Sequence, residues 1–419
     1  MANVTTGRET LGKPAQSVPH MILDRVAATP NGEAYRAPTA DDSSWSSMTW
    51  QQFYDECEAL AAGLVSLGLE PEQRVAIASN TRIEWVEADW AIMLAGGATT
   101  TVYASTGDHD VAYILGDSNT RYVFAEDQSQ VDKIALHNDE LNIGKCILFD
   151  GEGDGDWVIT MAQLQDLGRA LLKEQPNVIK DRANAVTGDM LATLIYTSGT
   201  TGKPKGVELT HSNWTYEAVF MDSLGILNTQ DVQFLWLPLA HSFGKVLLLA
   251  GLQVGFVTAV DGRVPKIVDN LAVVQPTFMA AVPRIFEKVY SKVAQTALAD
   301  GGAKAKIFTW AFKTGNDISA RELAGEKITG MDNMKRNIAN KLVFSKIQAR
   351  LGGRMRYMIS GSAALSKDIA LWFYTAGLPI LEGYGLTETS AATCVVRPDR
   401  LKFGTVGEPA AGTEIKIAD

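Results

Sequence analysis

Residues 196–207 combine hydroxyls, glycines and lysines in a loop that follows the apolar, strand-like run 191–196. Glycines let the backbone adopt positive φ and bring N–H groups close to an anion, while hydroxyl and ammonium groups add donors. The loop therefore predicts phosphate binding, and a nucleotide is the expected ligand. The candidate residues are Thr197, Ser198, Gly199, Thr200, Thr201, Gly202, Lys203 and Lys205.

A Walker A loop is the obvious alternative, and it requires Gly, four residues and then Gly-Lys-Ser/Thr. Here Thr197 occupies the position of the first glycine, and Pro204 follows Gly202 and Lys203. The Walker A pattern fails on both sides, so a nucleotide would not be held as P-loop NTPases hold it. Pro204 also stiffens the backbone between the two lysines, and the sequence leaves open whether Lys203 or Lys205 contacts phosphate.

Four further motifs follow the loop in the order of a known family. They are LPLAHSFG at 237–244, GSAAL at 361–365, EGYGLTET at 382–389 and GTVGEP at 404–409. With the loop, they resemble the adenylate-forming enzymes, which include acyl-CoA synthetases, luciferases and nonribosomal-peptide adenylation domains. The earlier part of the chain fits more loosely, through Tyr103 and its neighbours.

The resemblance implies attack of a carboxylate on the α-phosphate of ATP, giving an acyl-adenylate and pyrophosphate, and then displacement of AMP by a thiol, normally coenzyme A. A carboxylate is a poor nucleophile toward a polyanion, so the site must neutralise phosphate charge and hold the oxygens in line. In the family pattern the loop hydroxyls donate to the β- and γ-phosphates, Lys203 or Lys205 adds positive charge, and Mg²⁺ bridges the oxygens. The implied magnesium ligands are Glu388 and Thr197.

Adenine needs a flat apolar slot with a few polar groups at its edge. Small side chains allow close backbone approach on one wall, and a tyrosine between two glycines is suited to stack on the ring. The implied nucleotide contacts are Gly361, Ser362, Ala363, Glu382, Gly383, Tyr384 and Gly385.

Two further residues are assigned catalytic roles by the resemblance. Thr387 would reach the α-phosphate. His241 would position the acyl carboxylate and the adenylate, and it is not expected to act as a general base because a carboxylate is already ionised at neutral pH.

Two segments resemble long-chain fatty acyl-CoA synthetases and favour a long acyl chain. They are 281–290, which contains Val-Pro-Arg-Ile-Phe-Glu-Lys, and a predicted helical insertion at 302–353. The insertion is basic in an acidic chain, with Lys304, Lys306, Lys313, Arg321, Lys327, Lys335, Arg336, Lys341, Lys346 and Arg350 against Asp317, Glu322, Glu326 and Asp332. Contact of 303–350 with an anionic membrane is one interpretation, and a solvated helix face is the equal alternative.

Composition excludes several classes of protein. The chain has 419 residues, 46% hydrophobic content and a net charge of −10, so it can build a large core and is not expected to bind nucleic acid. Cys57, Cys146 and Cys394 are widely separated, with no CxxC motif or Cys/His cluster near them, so a disulfide framework and structural zinc are not expected. A secretory signal and a membrane-spanning run are not expected. We therefore expect a cytoplasmic protein, peripheral at the inner membrane face if the basic surface binds lipid.

Strand and helix patterns alternate, which predicts an α/β protein with mostly parallel sheets covered by helices. Strands are predicted at 75–79, 122–125, 146–149 and 191–196, and a helix at 81–94. The resemblance implies two interleaved αβαβα lobes and the start of a small β-barrel. The expected division is a large domain, 1–398, with lobes 20–72 plus 225–398 and 73–224, and then the first barrel strands in 399–419.

Members of the family continue past the barrel to a ribose-binding aspartate and a small C-terminal domain with a catalytic lysine. We therefore expect a fragment that lacks this domain and is poorly active alone, with 414–419 as an edge strand without a partner. Two alternatives stay open. They are a fatty acyl-AMP ligase that loads an acyl carrier protein, and a truncated, non-catalytic acyl- or nucleotide-binding protein.

Overall fold

Helices and strands alternate along the chain in the computed structural model, which describes residues 4–7, 9–198, 202–299 and 301–417. The strands are β1 (Val4–Thr6), β2 (Glu33–Pro38), β3 (Trp45–Thr49), β4 (Arg74–Ala78), β5 (Ala98–Val102), β6 (Thr120–Ala125), β7 (Lys145–Leu148), β8 (Val158–Thr160), β9 (Leu191–Thr197), β10 (Lys205–Thr210), β11 (Val232–Leu235), β12 (Val257–Val260), β13 (Phe278–Ala281), β14 (Tyr357–Ser360), β15 (Ile380–Tyr384), β16 (Cys394–Val395), β17 (Glu408–Pro409) and β18 (Glu414–Lys416).

The α-helices are α1 (Val18–Ala28), α2 (Trp50–Ser66), α3 (Ile83–Leu94), α4 (Asp108–Asp117), α5 (Gln128–Ala135), α6 (Asn138–Leu141), α7 (Met161–Glu174), α8 (Val178–Ala185), α9 (His211–Ser223), α10 (Ser242–Val254), α11 (Ile267–Val274), α12 (Pro283–Ala299), α13 (Gly302–Leu323), α14 (Gly330–Ala339), α15 (Ser345–Arg350) and α16 (Lys367–Thr375). Short 3-10 helices cover Val264–Lys266, Thr387–Thr389 and Pro398–Arg400, and a π-helical turn covers Asn340–Phe344.

The chain divides into two compact units. The N-terminal unit consists of Leu11–Ser223 and Trp236–Gly262, and the C-terminal unit of Met1–Thr10, Leu224–Leu235 and Arg263–Asp419. In this division residues 20–72 group with the segment that follows them and also with 236–262, which is part of their expected partner segment 225–398.

Helix α2 gives the physical reason for that grouping, because it packs against α3 and α7 of the same unit. The helix begins at a capping box in which Thr49 Oγ1 accepts from the Gln52 N–H (3.2 Å) and the Gln52 side chain accepts from the Thr49 N–H (2.9 Å). The backbones of α2 and α7 are in close contact, since a Cβ added to Gly168 would lie 1.8 Å from the carbonyl oxygen of Ala59. Residues 50–66 are thus fixed to the segment 161–174.

The main sheet of the N-terminal unit has the strand order β10-β9-β5-β4-β6-β7-β8. All neighbouring pairs are parallel except β10 and β9, which form an antiparallel hairpin. Every residue of β5 is buried, as expected for a central strand covered by helices on both faces. Elsewhere in this unit β2 pairs parallel with β12 and antiparallel with β3.

The C-terminal unit contains the run β17-β16-β15-β14-β13-β11. The strands from β11 to β15 are parallel, and β16 and β17 add antiparallel pairs. The insertion 302–353 is helical, as predicted, and packs through aromatic rings: Phe312 stacks on Trp372 of α16 with ring centroids 4.6 Å apart.

The predicted α/β class with two largely parallel sheets is confirmed, whereas the described residues form no closed barrel. The expectation that 414–419 lacks a strand partner is wrong for β18, which pairs antiparallel with β1, Ile415 opposite Thr5. Local sequence patterns carry no information on a pairing between segments so far apart. Residues 418–419 lie outside the described part of the chain.

Candidate functional site

The predicted phosphate loop connects β9 and β10 in the N-terminal unit. The strands pair with Thr197 opposite Lys205, so Thr197, Ser198, Gly202 and Lys203 lie at or beyond the end of this hairpin. Gly199, Thr200 and Thr201 lie outside the described residues. Because β9 runs parallel to β5, the loop leaves the carboxyl edge of the sheet, where ligands of open α/β sheets bind.

Helix α4 contacts this hairpin through Tyr113 and Asp117. The Lys203 ammonium lies 5.0 Å from the ring centroid of Tyr113, a cation–π distance. The Tyr113 ring meets that of Tyr196 edge-on at 6.5 Å, and the Tyr196 hydroxyl donates to Asp117 Oδ2 (2.7 Å). Lys205, by contrast, is exposed and oriented by strand pairing. The two lysines that the sequence leaves equivalent are therefore held differently.

His241 is the N-cap of α10. Its Nδ1 accepts a hydrogen bond from the Phe243 N–H (3.1 Å), so the proton of the neutral ring is on Nε2. Burial lowers the pKa of His241, which favours this neutral form. The ring can donate from Nε2 but offers no further lone pair, which suits an orienting group better than a general base.

Two threonines that the motifs do not include fix the segment before His241. The Thr101 hydroxyl lies 3.0 Å from the Ala240 carbonyl oxygen and 3.4 Å from that of Leu194 in β9. The Thr81 hydroxyl donates to the Leu237 carbonyl oxygen (2.7 Å). Through Thr101, strand β5 thus contacts both the residue before His241 and strand β9, which leads into the phosphate loop. Thr99, Thr100 and Thr101 in a fully buried strand are the sequence signal that could have revealed this bridge.

A buried ion pair anchors the first turn of α10, one turn after His241. The Lys245 ammonium bonds to both oxygens of Asp89 on α3, and Thr99 also donates to Asp89 (2.8 Å). Both charged side chains are fully buried. Burial lowers the pKa of Lys245, and the Asp89 carboxylate opposes that effect. Removing one partner would leave a buried charge without compensation, so this pair fixes α10 to α3.

In the C-terminal unit, the predicted adenine slot lies where β14 and β15 end. The strands are parallel with Ser360 opposite Glu382, so Gly361, Ser362 and Ala363 follow one strand while Gly383, Tyr384 and Gly385 end the other. Ser362 has φ +68°, a left-handed turn after β14. The Tyr384 side chain is 46% exposed. The two predicted walls therefore start from adjacent strand ends.

The turn after Tyr384 requires glycine. A Cβ on Gly385 would lie 1.3 Å from the Ala391 carbonyl oxygen, because the chain folds back directly over this position. Ser390 and Ala391 have positive φ, at 66° and 102°. This tight return presents Thr387 and Glu388 on the 3-10 helix that follows β15.

Glu382 and Glu388 lie in different environments. Glu382 is buried, and its carboxylate oxygens accept from the backbone N–H groups of Leu365 (3.3 Å) and Gly404 (3.2 Å). Glu388 is exposed, and within the described part of the chain its carboxylate has no hydrogen-bond or ion-pair partner. Thr387 is buried. Glu382 therefore holds neighbouring loops in place, whereas Glu388 is available to a cation.

The predicted site residues form two groups, one in each unit. The N-terminal group contains the described loop residues and His241. The C-terminal group contains Gly361, Ser362, Ala363, Glu382, Gly383, Tyr384, Gly385, Thr387 and Glu388. Each group lies at the carboxyl edge of parallel strands.

Comparison with known proteins gives a consistent result. The profile of the AMP-binding enzyme family matches residues 23–419. A long-chain-fatty-acid–CoA ligase of Mycobacterium bovis (FadD15) is 34% identical over 382 residues, which are 90% of this chain and 62% of the relative. A long-chain-fatty-acid–CoA ligase of Xenopus laevis (ACSBG2) is 28% identical, with 92% of this chain and 53% of the relative covered. The chain thus spans about half to three fifths of the length of these relatives.

Solved structures share the fold. A long-chain-fatty-acid-CoA ligase (FadD1) from Archaeoglobus fulgidus superposes with a TM-score of 0.74 at 16% identity, covering 98% of this chain and 72% of the other. The N-terminal domain of FACL13 from Mycobacterium tuberculosis has a TM-score of 0.68 at 18% identity, covering 94% and 83%.

Proposed function

Because this chain belongs to the AMP-binding enzyme family, we propose that it binds ATP and a long-chain fatty acid and joins them into an acyl-adenylate with release of pyrophosphate. Coenzyme A then takes the acyl group as a thioester. The observation that carries the proposal is the pair of adjacent strand ends, β14 and β15, which offers a small-residue loop beside an exposed tyrosine. The names of the relatives support a fatty acid and coenzyme A as substrates.

The adenine ring would lie between Tyr384 and the turn formed by Gly361, Ser362 and Ala363. An exposed aromatic face gives stacking energy without a hydrogen-bond requirement, and small residues let backbone groups reach the edge of the base. Glu382 would act indirectly, because both of its oxygens already hold backbone N–H groups near this slot.

The phosphates would contact the loop between β9 and β10. Thr197, Ser198 and the ammonium groups of Lys203 and Lys205 supply donors that offset negative charge during attack by the carboxylate. Mg²⁺ prefers oxygen ligands, and the free carboxylate of Glu388 and the hydroxyl of Thr197 fit that preference. A bound Mg²⁺ would neutralise phosphate charge and orient the oxygens.

His241 would orient the acid. Its neutral ring donates from Nε2, the proton position that the Phe243 hydrogen bond to Nδ1 selects. A donor aimed at a carboxylate or adenylate oxygen holds the nucleophile in line without removing a proton. Thr387, buried beside Glu388, would contact the α-phosphate in the same scheme.

The acyl chain would enter near the start of α12. Ala281 at the end of β13 lies opposite Ser360 of β14, so the segment that resembles long-chain enzymes begins at the same sheet edge as the adenine slot. This adjacency supports a binding region for an acid whose carboxylate must meet the nucleotide.

Fatty-acid-dependent exchange of pyrophosphate into ATP, measured on the complete gene product, tests the proposal. We expect exchange that requires Mg²⁺ and increases from acetate to palmitate, and a thioester product when coenzyme A is added. ATP binding without exchange for any acid would favour the non-catalytic alternative. Transfer only to an acyl carrier protein would favour the other acceptor.

We also propose that the helical insertion contacts anionic membrane. Exposed apolar side chains recur along α14 and the π-helical turn, namely Met331 (58% exposed), Met334 (50%), Ile338 (42%) and Leu342 (42%). Lys335 and Lys341 are exposed beside this apolar stripe. Such a helix can lie in the headgroup region, with lysines at the phosphates. Cosedimentation with anionic vesicles tests the contact.

The arginines of this surface differ from Lys335 and Lys341 because they form ion pairs with acidic side chains. Arg336 bonds to Glu322 (2.7 Å) and Arg321 to Asp332 (2.9 Å), which fixes both within the helical insertion. Lys335 and Lys341 are therefore the better positions for testing lipid contact. Within the described ranges, no helix is both long and apolar enough to cross a membrane.

A further inference from the structure

Asp108, His109 and His137 form a cluster on the N-terminal unit, at the start of the helix that contacts the phosphate-loop hairpin. Asp108 and His109 open α4, and His137 precedes α6. Their ligating atoms all lie within 4.8 Å of one another. None of these residues belongs to the motifs of the proposed ligase site.

We propose that this cluster is a zinc site with three protein ligands, two imidazoles and one carboxylate, and an open fourth position. Such a donor set is typical of Zn²⁺ in proteins. At metal–ligand distances near 2.0–2.1 Å, tetrahedral coordination places ligand atoms about 3.3 Å apart. His137 Nε2 is 3.6 Å and His109 Nε2 is 4.0 Å from Asp108 Oδ2. Two of the three separations are thus close to the required spacing before any ion is bound, and the third is at most 4.8 Å.

The state of His137 is an independent indication of a ligand. Its Nε2 is buried and has no hydrogen-bond partner, although buried ring nitrogens normally have one. The atom faces the Asp108 carboxylate at a distance just beyond a hydrogen bond. A metal ion between the two would satisfy both groups.

The third ligand is free to adjust. The His109 side chain is 90% exposed, and its ring lies 5.5 Å from that of His137. A change of rotamer can bring Nε2 closer at little cost, because the side chain is almost fully exposed.

The charge at this end of α4 also suits a cation. The positive end of a helix dipole by itself disfavours a cation, but Asp108 and Asp110 lie in the first turn. The cysteines do not compete for zinc, because all three are buried. The sequence offers little sign of the site, since His137 is separated from the other two ligands by a strand and a helix.

Occupancy would join the start of α4 to the turn between α5 and α6. Helix α4 also carries Tyr113 and Asp117, which contact Lys203 and Tyr196 of the phosphate-loop hairpin. The zinc site is therefore built on the element that orients Lys203.

Titration of the whole metal-free chain with Zn²⁺ against a chromophoric chelator tests the proposal. We expect one tight equivalent and a rise in melting temperature on zinc addition. His137→Ala and Asp108→Asn should each lower affinity at least tenfold. Two matched controls should leave it unchanged: Asp110→Asn removes a carboxylate from the same helical turn, and His20→Gln removes a histidine elsewhere.

Two outcomes would overturn the site. One is the absence of a saturable equivalent in the parent chain. The other is equal zinc affinity in the ligand variants and the controls. Circular dichroism of each variant separates loss of the site from loss of the fold. Because zinc binding is measured without ATP or acid, its result is independent of the proposed ligase activity.

Discussion

At the residue scale, the two glutamates of the 382–389 motif have opposite surroundings. Substitutions of the two residues can therefore test effects on stability and on activity separately. Glu382 is buried and accepts two backbone hydrogen bonds, whereas Glu388 is exposed. Both residues are glutamates in one short motif, so the sequence alone does not indicate that their surroundings differ. The partners of Glu382 lie on Leu365 and Gly404, outside the motif.

We predict that Glu382→Gln lowers stability by about 1–3 kcal/mol, because an amide NH₂ would face a buried N–H donor that then has no acceptor. Glu388→Gln should leave stability within about 0.5 kcal/mol of the parent, as expected for an exposed site. It should instead slow pyrophosphate exchange by at least tenfold. Urea unfolding and the exchange assay, run on both variants, check this pair.

The exposed Glu326→Gln serves as the matched control, and neither measurement should change. Equal loss of exchange in Glu388→Gln and Glu326→Gln would count against a magnesium role for Glu388. Full stability of Glu382→Gln would show that its hydrogen bonds contribute little.

The candidate site residues could be proposed from the sequence, because the expected chemistry requires particular residue types. Hydroxyls, glycines and lysines for phosphate, and a tyrosine between glycines for a base, are visible in the order of residues. The roles of Thr101, Lys245 and Asp89 were not, since they depend on contacts between strands and helices that local patterns do not specify. For the same reason the sequence does not show that Lys203 and Lys205 have different contacts, because this difference depends on the position of Tyr113.

At the scale of elements, hydrophobic patterns located the central strands well. The strands predicted at 75–79, 122–125 and 146–149 correspond to β4 (Arg74–Ala78), β6 (Thr120–Ala125) and β7 (Lys145–Leu148). Buried strands of parallel sheets are short apolar runs bounded by loops, which makes them easy to recognise. The pairing of β1 with β18 and the grouping of α2 with α7 depend on distant segments and were not predictable.

The crossing of α2 and α7 gives a prediction at this scale. Gly168→Ala should destabilise the protein by about 1–3 kcal/mol or more, because the new Cβ would overlap the Ala59 carbonyl and force the helices apart. Chemical unfolding followed by circular dichroism measures the change. Gly330→Ala is the control: a Cβ there meets nothing within 4 Å, and alanine in the first turn of α14 should be neutral or slightly stabilising. Similar stability of the two variants would contradict the close helix contact.

At the scale of the whole molecule, net charge and local charge have opposite effects on binding to an anionic membrane. A chain with a net charge of −10 is repelled by an anionic membrane as a whole. Attraction requires a local excess of positive charge within a Debye length of the lipid, about 10 Å at 0.1 M salt. The lysines beside the apolar stripe of α14 supply that excess, because the nearby arginines are already paired with acidic residues.

This distinction yields the last prediction, which compares two double variants of equal net charge. Lys335→Glu with Lys341→Glu, and Lys173→Glu with Lys180→Glu on the other unit, each lower the net charge from −10 to −14, since every reversal changes it by −2. At about 1 kcal/mol per lysine near an anionic surface, losing the first pair should cost at least about 2 kcal/mol, or roughly 30-fold in vesicle partitioning. The second pair should change partitioning far less, and raised salt should weaken binding of the parent chain. Cosedimentation with phosphatidylserine vesicles measures all three proteins. Equal losses in the two variants would mean that only net charge matters, and absence of binding by the parent would exclude this surface as a membrane contact.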